Sequence, residues 1–215
     1  MRTILCYGDS NTWGYTPGTK LRYAPYVRWT GVCQQNLGAE YRVIEEGVNG
    51  RTTIFDDPTN PFRNGAKSLG YILHAAKPID LFVLALGTND LKYTDAAGAA
   101  EGAGQLVEMI QNAQEQFPSS SPYFYADQPK ILLISPIHIR RTAQIHVEGV
   151  ELSELSGKSL ELFHEFQRVA NQKNVYLFDA SSVASPSEVD GVHMNPDSHQ
   201  ALGAAIADVI KKIFK

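Results

Sequence analysis

Cysteine is scarce in this chain of 215 residues, which has two, Cys6 and Cys33. That is too few for a disulfide framework or a thiolate zinc site. Cys6 falls inside an apolar strand pattern and reads as a buried free thiol. Basic runs are missing as well: 19 Lys and Arg against 23 Asp and Glu leave a net charge of −4, which argues against a nucleic-acid partner held by phosphate neutralisation. No apolar run approaches the ~20 residues of a membrane span. The N-terminus passes from Met1-Arg2-Thr3 straight into a strand pattern, with no room for the apolar stretch and cleavage site of a signal peptide. The expectation is a soluble, cytoplasmic protein with no membrane partner. No His-x-x-x-His or paired-carboxylate spacing points to a metal, so no metal and no cofactor are expected.

What is present is a chain able to bury a core. The hydrophobic fraction is 43% and the charged fraction 20%, values that exclude intrinsic disorder. A chain of this length buries roughly 70% of its unfolded surface without cross-links, and we expect one domain spanning residues 1–215. Strand patterns cover Thr3 to Tyr7, Tyr41 to Glu45, Ile79 to Leu86, Lys130 to Ser135 and Val175 to Phe178. The third is apolar at nearly every position, as in a parallel strand covered on both faces. Helical patterns cover Trp29 to Leu37, Ala66 to Ala76, Ala97 to Phe117 and Ser153 to Gln172. A last helix opens at Asn195-Pro196, an N-cap followed by the residue favoured at the first helical position, and closes with Lys211, Lys212 and Lys215 against its dipole. This alternation predicts an α/β fold, a three-layer α/β/α sandwich around a five-stranded parallel sheet.

Two stretches break the pattern. Pro118 to Pro129 is rich in Pro and Ser and carries Tyr123, Phe124 and Tyr125. Pro136 to Gly149 carries His138, Arg140, Arg141 and His146. Both read as excursions at the rim of the sheet.

Ligands of such sheets bind beyond the carboxyl ends of the strands. The first strand ends in Gly8-Asp9-Ser10-Asn11, the third in Gly87-Thr88-Asn89-Asp90, and the loop after the fifth holds Asp190-Gly191-Val192-His193. A hydroxyl, an imidazole and a carboxylate are the parts of a nucleophilic triad. Ser10 needs a base to take its proton, His193 can serve, and Asp190 can hold the other ring nitrogen. The Gly-X-Ser-X-Gly elbow is absent, which rules out the α/β-hydrolase layout. Acyl transfer also needs oxyanion donors, worth ~3–4 kcal/mol each. Candidates are the backbone N–H of Ser10, the backbone N–H of Gly50 in the loop after the second strand, and the side-chain amide of Asn89.

These motifs resemble the SGNH, or GDSL, hydrolases. Ile4 to Gly14 (ILCYGDSNTWG) is similar to the block bearing the nucleophile, and Gly50 falls where the family has its glycine donor. Gly87-Thr88-Asn89-Asp90 is similar to the asparagine block, and Asp190 to His193 to the Asp-x-x-His block. The runs Val27 to Val32, Val43 to Gly47, Arg51-Thr52-Thr53 and Asp56 to Thr59 resemble the bacterial arylesterase/acyltransferase branch. The resemblance implies a flavodoxin-like SGNH sandwich and a serine esterase acting on short acyl or aryl esters. It also implies acyl transfer to alcohols, a small-molecule ester as partner, and a homo-oligomer. Some members of the branch carry alanine at the position of Gly50, which offers the same backbone donor.

Each candidate has a plainer reading. Asp9 is read as bonding to backbone N–H groups of its own turn rather than as the triad carboxylate. Asp179 is read as a turn cap. Trp13, Tyr15 and Trp29 line an apolar pocket or pack in the core, whereas Tyr123, Phe124 and Tyr125 read as exposed and suit a subunit interface. His74, His164 and His199 fall on helices as surface or packing residues. His138 and His146 lie nearer the expected site, and Trp13, Asn49 and His138 are the candidate substrate-binding residues. The alternatives to an arylesterase are a carbohydrate O-acetyl esterase, a thioesterase, or a ligand-binding module that kept the fold.

Overall fold

The computed structural model describes residues 1–118, 123–125, 127–141 and 151–215. Five parallel strands form one sheet: β1 (Arg2–Gly8), β2 (Tyr41–Gly47), β3 (Leu81–Ala85), β4 (Ile131–Ser135) and β5 (Tyr176–Asp179), in the order β2-β1-β3-β4-β5. The inner strands are apolar at successive positions because both sheet faces are covered. Alternation then splits each strand between two cores. Leu5, Tyr7, Phe82, Leu84 and Leu133 face one side, where they meet α3 (Gly65–Ala76), α4 (Ala96–Gln111), α6 (Leu152–Ser159) and α7 (Leu162–Lys173). Ile4, Cys6, Leu81, Val83, Leu132 and Ile134 face the other, under α2 (Trp29–Leu37) and α8 (Pro196–Ile213). The result is the three-layer sandwich. One-turn helices α1 (Ser10–Trp13) and α5 (Ala113–Gln116) complete the set of α-helices among the described residues.

The chain leaves β1 toward β2 on one side and later returns to β3 on its other side. Connections after β1 and β3 therefore diverge, opening a crevice at the carboxyl ends of these neighbours. Gly8 and Ala85 are paired there. The helix at the C-terminus follows its expected capping: Asn195 accepts from the N–H of Ser198 at 2.9 Å, Pro196 holds the first position, and Lys211 and Lys212 occupy the last turn.

Several boundaries differ from the sequence reading. The third strand begins at Leu81 and not at Ile79, because the Ile79 N–H donates to Phe124 O instead of joining the ladder with β1. The helix expected over Ala97 to Phe117 breaks at Asn112, where the Tyr125 hydroxyl donates to Ile110 O at 2.9 Å and takes a carbonyl that a continuous helix would offer four residues on. The helix expected over Ser153 to Gln172 is two helices. The Ser156 hydroxyl donates to Ile139 O and the Ser159 hydroxyl accepts from the Ile139 N–H, pinning α6 to the segment after β4, while α7 packs along α4.

The aromatic run also needs correction. Tyr123 is exposed, but Phe124 is buried in the core beneath His74, and Tyr125 is half-buried. Their packing is part of the fold rather than a free aromatic face. His146 lies outside the described residues.

Candidate active site

The residue after β1 is Asp9, which caps the α1 turn by accepting from the Asn11 N–H at 2.9 Å. This turn is possible only because β2 ends in a glycine. A β-carbon on Gly47 would lie 2.2 Å from Trp13 N and 2.5 Å from Trp13 Cα. Ser10, the first residue of the turn, is 7% exposed. Burial pushes the Asp9 carboxyl above its ordinary range, against the pull of the Asn11 N–H and of His193. Asp9 is thus the turn-fixing carboxylate.

The loop after β5 brings a second set of groups to the same edge. His193 Nε2 lies 2.9 Å from Ser10 Oγ, and its Nδ1 lies 2.8 Å from Asp190 Oδ2. The other Asp190 oxygen accepts from the N–H groups of Val192 and His193, closing the loop on itself. Burial alone would raise the Asp190 pKa, but the His193 ring and these two N–H groups outweigh it and hold the carboxyl below its ordinary value. Asn11 joins the loop to the α1 turn: its Oδ1 accepts from the Met194 N–H at 3.0 Å and its Nδ2 donates to Val192 O at 3.3 Å. The Tyr15 ring covers the imidazole at 4.3 Å between centroids. Among rival groups, Asp179 caps the turn after β5 by accepting from the Ser181 N–H. His199 is buried in α8, where Nδ1 accepts from the Trp29 N–H at 3.2 Å. Its burial, with help from the positive field of His193 and Arg28, pushes its pKa down to about 4.

Gly50 and Asn89 border the same space. Gly50 has φ +78°, a left-handed conformation that favours glycine. Neither its N–H nor that of Ser10 donates to another described residue. Asn89 Nδ2 donates to Arg51 O at 3.1 Å, which fixes the plane of the amide. Arg51 is 2% exposed and lies over the Tyr7 ring, with Nη1 donating to Gly8 O at 3.0 Å and to Glu46 O at 2.5 Å. It ties the ends of β1 and β2 to the asparagine. Next to Asn89, Asp90 is fully buried and accepts from the N–H and hydroxyl of Thr53. Burial drives its pKa up to about 6 despite these donors.

Ser10, Gly50, Asn89, Asp190 and His193 line one cleft of about 350 Å³, with Asn49 and Tyr15. Trp13 and His138 do not line it. Trp13 is half-buried beneath the Arg22 guanidinium, 5.0 Å from its ring, and His138 is partly buried between Ile137 and Ile139. Trp29 is core. Thr88 of the asparagine motif lines the cleft as well, and so do Arg63, Lys92, Ile139 and Leu155, which no motif marks. Ile139 and Leu155 come from segments with no motif, and Arg63 lies just past the Asp56 to Thr59 run, outside every motif. No group of three or more His, Cys, Asp or Glu among the described residues could hold a metal.

A hydroxyl hydrogen-bonded to an imidazole, with unused N–H groups beside it, is equipped for nucleophilic acyl transfer. Comparison with known proteins points the same way. Residues 6–201 match the GDSL-like lipase/acylhydrolase family. No protein of curated function matches the chain. The aryl esterase of M. smegmatis is 36% identical over 99% of each chain, with a TM-score of 0.89. A carbohydrate acetylesterase from Sinorhizobium meliloti is 33% identical over the whole of both chains, with a TM-score of 0.91. A lipase/acylhydrolase from Enterococcus faecalis, 20% identical over 99% of this chain and 97% of its own, shares the fold at a TM-score of 0.67. With its motifs in order across the match, the chain belongs to the GDSL-like lipase/acylhydrolase family and is a carboxylic ester hydrolase.

Proposed function

We propose that the protein cleaves short-chain acyl and aryl esters through an acyl-enzyme on Ser10. The carrying observation is the continuous chain from Ser10 Oγ through both nitrogens of His193 to Asp190, at 2.9 and 2.8 Å. His193 takes the Ser10 proton as the hydroxyl attacks the ester carbonyl. Asp190 holds the ring in the tautomer with Nε2 free and stabilises the imidazolium that forms. The N–H groups of Ser10 and Gly50 and the Asn89 amide receive the oxyanion. His193 then returns its proton to the leaving alcohol. Water, or a second alcohol, enters by the same proton route and releases the acyl group. Tyr15, tilted by 30° over the ring at 4.3 Å, limits solvent on that face.

The test is hydrolysis of aryl esters from acetate to octanoate by the wild type and by Ser10→Ala, with an added alcohol in a parallel set. Acetate should turn over fastest, the variant should lose at least about a thousandfold in kcat, and new ester should appear with the alcohol. Comparable turnover in Ser10→Ala would remove this mechanism. A second reading, removal of O-acetyl groups from sugars, draws support from the S. meliloti neighbour and from the polar wall formed by Asn49 and Arg63. The triad serves either substrate, as it would a thioester.

The whole chain acts in this reading as one domain in the cytoplasm, assembled as a homo-oligomer. Two buried free cysteines suit a reducing compartment, and no described helix is long and apolar enough to cross a membrane. Large exposed rings, Tyr26, Phe62, Tyr71 and Tyr123, supply the aromatic surface that subunit interfaces favour. Sedimentation velocity reads the assembly directly: a species of 23.7 kDa alone would end the oligomer proposal.

A further inference from the structure

Ser10 and His193 stand on separate segments, and bonds within either segment cannot set the distance between them. Asp190 Oδ1 accepts from the N–H groups of Val192 and His193, and the Ser187 N–H donates to His193 O at 2.7 Å. These bonds stay within the loop and fix its shape. The Arg140 N–H donates to Gly191 O at 2.8 Å, which ties the loop to the segment after β4 and not to Ser10. Asn11 makes the missing connection. Its Oδ1 accepts from the Met194 N–H at 3.0 Å and its Nδ2 donates to Val192 O at 3.3 Å, so one amide grips the main chain on both sides of His193. A single orientation of the amide satisfies both bonds, because its oxygen must face an N–H and its nitrogen a carbonyl. The grip is mounted directly after the nucleophile, on a turn where the Asn11 N–H is itself held by Asp9 at 2.9 Å. Asn11 stands outside the residues that line the cleft.

We propose that Asn11 is a positioning residue: by clamping Val192 and Met194 to the turn that opens with Ser10, it holds His193 Nε2 at the 2.9 Å from Ser10 Oγ that proton transfer requires. The inference rests on the esterase reading of Ser10 and His193. A hydrocarbon at position 11 could not make the clamp and would leave the Met194 N–H and the Val192 carbonyl without these partners. The four letters that name the GDSL family end in leucine, whereas this chain carries asparagine there. The clamp is thus a property of this sequence and not of the four-letter motif.

The experiment measures kcat and KM for phenyl acetate in the wild type, Asn11→Leu, His193→Ala and the double variant, with Ser10→Ala as the reference. Leucine keeps the size of the side chain and loses both bonds. In Asn11→Leu, kcat should fall by about 10- to 100-fold, the cost of a base displaced by roughly 1 Å. KM should stay within about twofold, because the clamp lies outside the cleft. The double variant separates positioning from general support of the fold. If Asn11 acts through His193, its loss costs nothing further once the imidazole is gone, so Asn11→Leu should leave the residual kcat of His193→Ala unchanged. Should Asn11→Leu fail to fold, Asn11→Asp carries the test: it keeps the acceptor for Met194, sets a repelling oxygen against Val192 O, and should show the same pattern. Wild-type kcat in a folded Asn11 variant, a loss confined to KM, or losses that multiply in the double variant overturn the proposal. Turnover that survives Ser10→Ala, or that His193→Ala leaves intact, sinks the esterase reading itself and takes this proposal with it.

Discussion

Replacing Gly47 with alanine tests how tightly the strand ends hold the nucleophile, at a residue with no side chain and no chemical role. Gly47 pairs with Gly8 at the end of the β1–β2 ladder, in a conformation that alanine adopts without strain. The added carbon would nevertheless meet Trp13 N at 2.2 Å, Trp13 Cα at 2.5 Å and Thr12 C at 2.8 Å. All three are backbone atoms, so no rotamer change relieves the contact. Reaching ordinary van der Waals contact requires the α1 turn to move by about 1 Å. Ser10 opens that turn, and its Oγ stands 2.9 Å from the base, so the same shift breaks the hydrogen bond on which proton transfer depends. A misplacement of this size costs on the order of 100-fold in rate, and overpacking costs roughly 1–3 kcal/mol of stability. The melting temperature should drop by about 3–10 °C for a chain of this size. The assay is steady-state hydrolysis of an aryl acetate with the rate of labelling by a serine-directed phosphonate. Both rates should fall together. Gly157→Ala, where a β-carbon meets nothing within 4 Å, is the control and should leave both unchanged. A folded Gly47→Ala protein with kcat within threefold of wild type would refute the claim that the turn is held rigidly.

Other expectations are quicker to check. Asp190→Asn keeps the size of the side chain but loses the charge that stabilises the imidazolium, and kcat should fall by roughly 10³–10⁴ with little change in KM; a loss below tenfold would remove Asp190 from the triad. Two buried groups near the site should oppose each other in stability between pH 4 and 6. His199, held near pKa 4 when folded, takes up its proton only in the unfolded chain over this range, so its contribution to stability rises with pH. Asp90, held near 6 when folded, keeps its proton only in the folded chain, so its contribution falls with pH. Each amounts to about 3 kcal/mol across the window. His199→Asn should therefore give a melting temperature that falls from pH 4 to 6, and Asp90→Asn one that rises; identical slopes in the two variants would contradict both assignments.

The sandwich was legible because short, nearly continuous apolar runs alternate along the chain with stretches of helical spacing. Ser10 and Asn89 could be picked out because each sits in a short motif just beyond a strand, and Asp190 and His193 because they share an Asp-x-x-His run in the loop between β5 and α8; the fold brings all four to one cleft. Residues whose position depends on long-range packing could not. Arg63 lies on Gly50 through a fold that no local spacing encodes, and Trp13, three residues from the nucleophile, turns away beneath Arg22. Phe124 looked exposed because it lies between Tyr residues in a Pro-rich run, yet its carbonyl and ring complete the core beside Ile79 and His74. The break between α6 and α7 carries no Gly or Pro. It follows from two serines bonding across to Ile139, a partner that local sequence does not reveal.

Ser10 and His193, the proposed nucleophile and base, are 183 residues apart, one after the first strand and the other just before the last helix. A chain emerging from the ribosome has made Ser10 long before His193 exists, and α8, packed on α2, anchors the far end of the loop that carries His193. Reactivity toward a phosphonate therefore requires that the two ends of the chain have met. In refolding experiments, a delay between recovery of helical signal and recovery of labelling measures how long these distant segments take to come together.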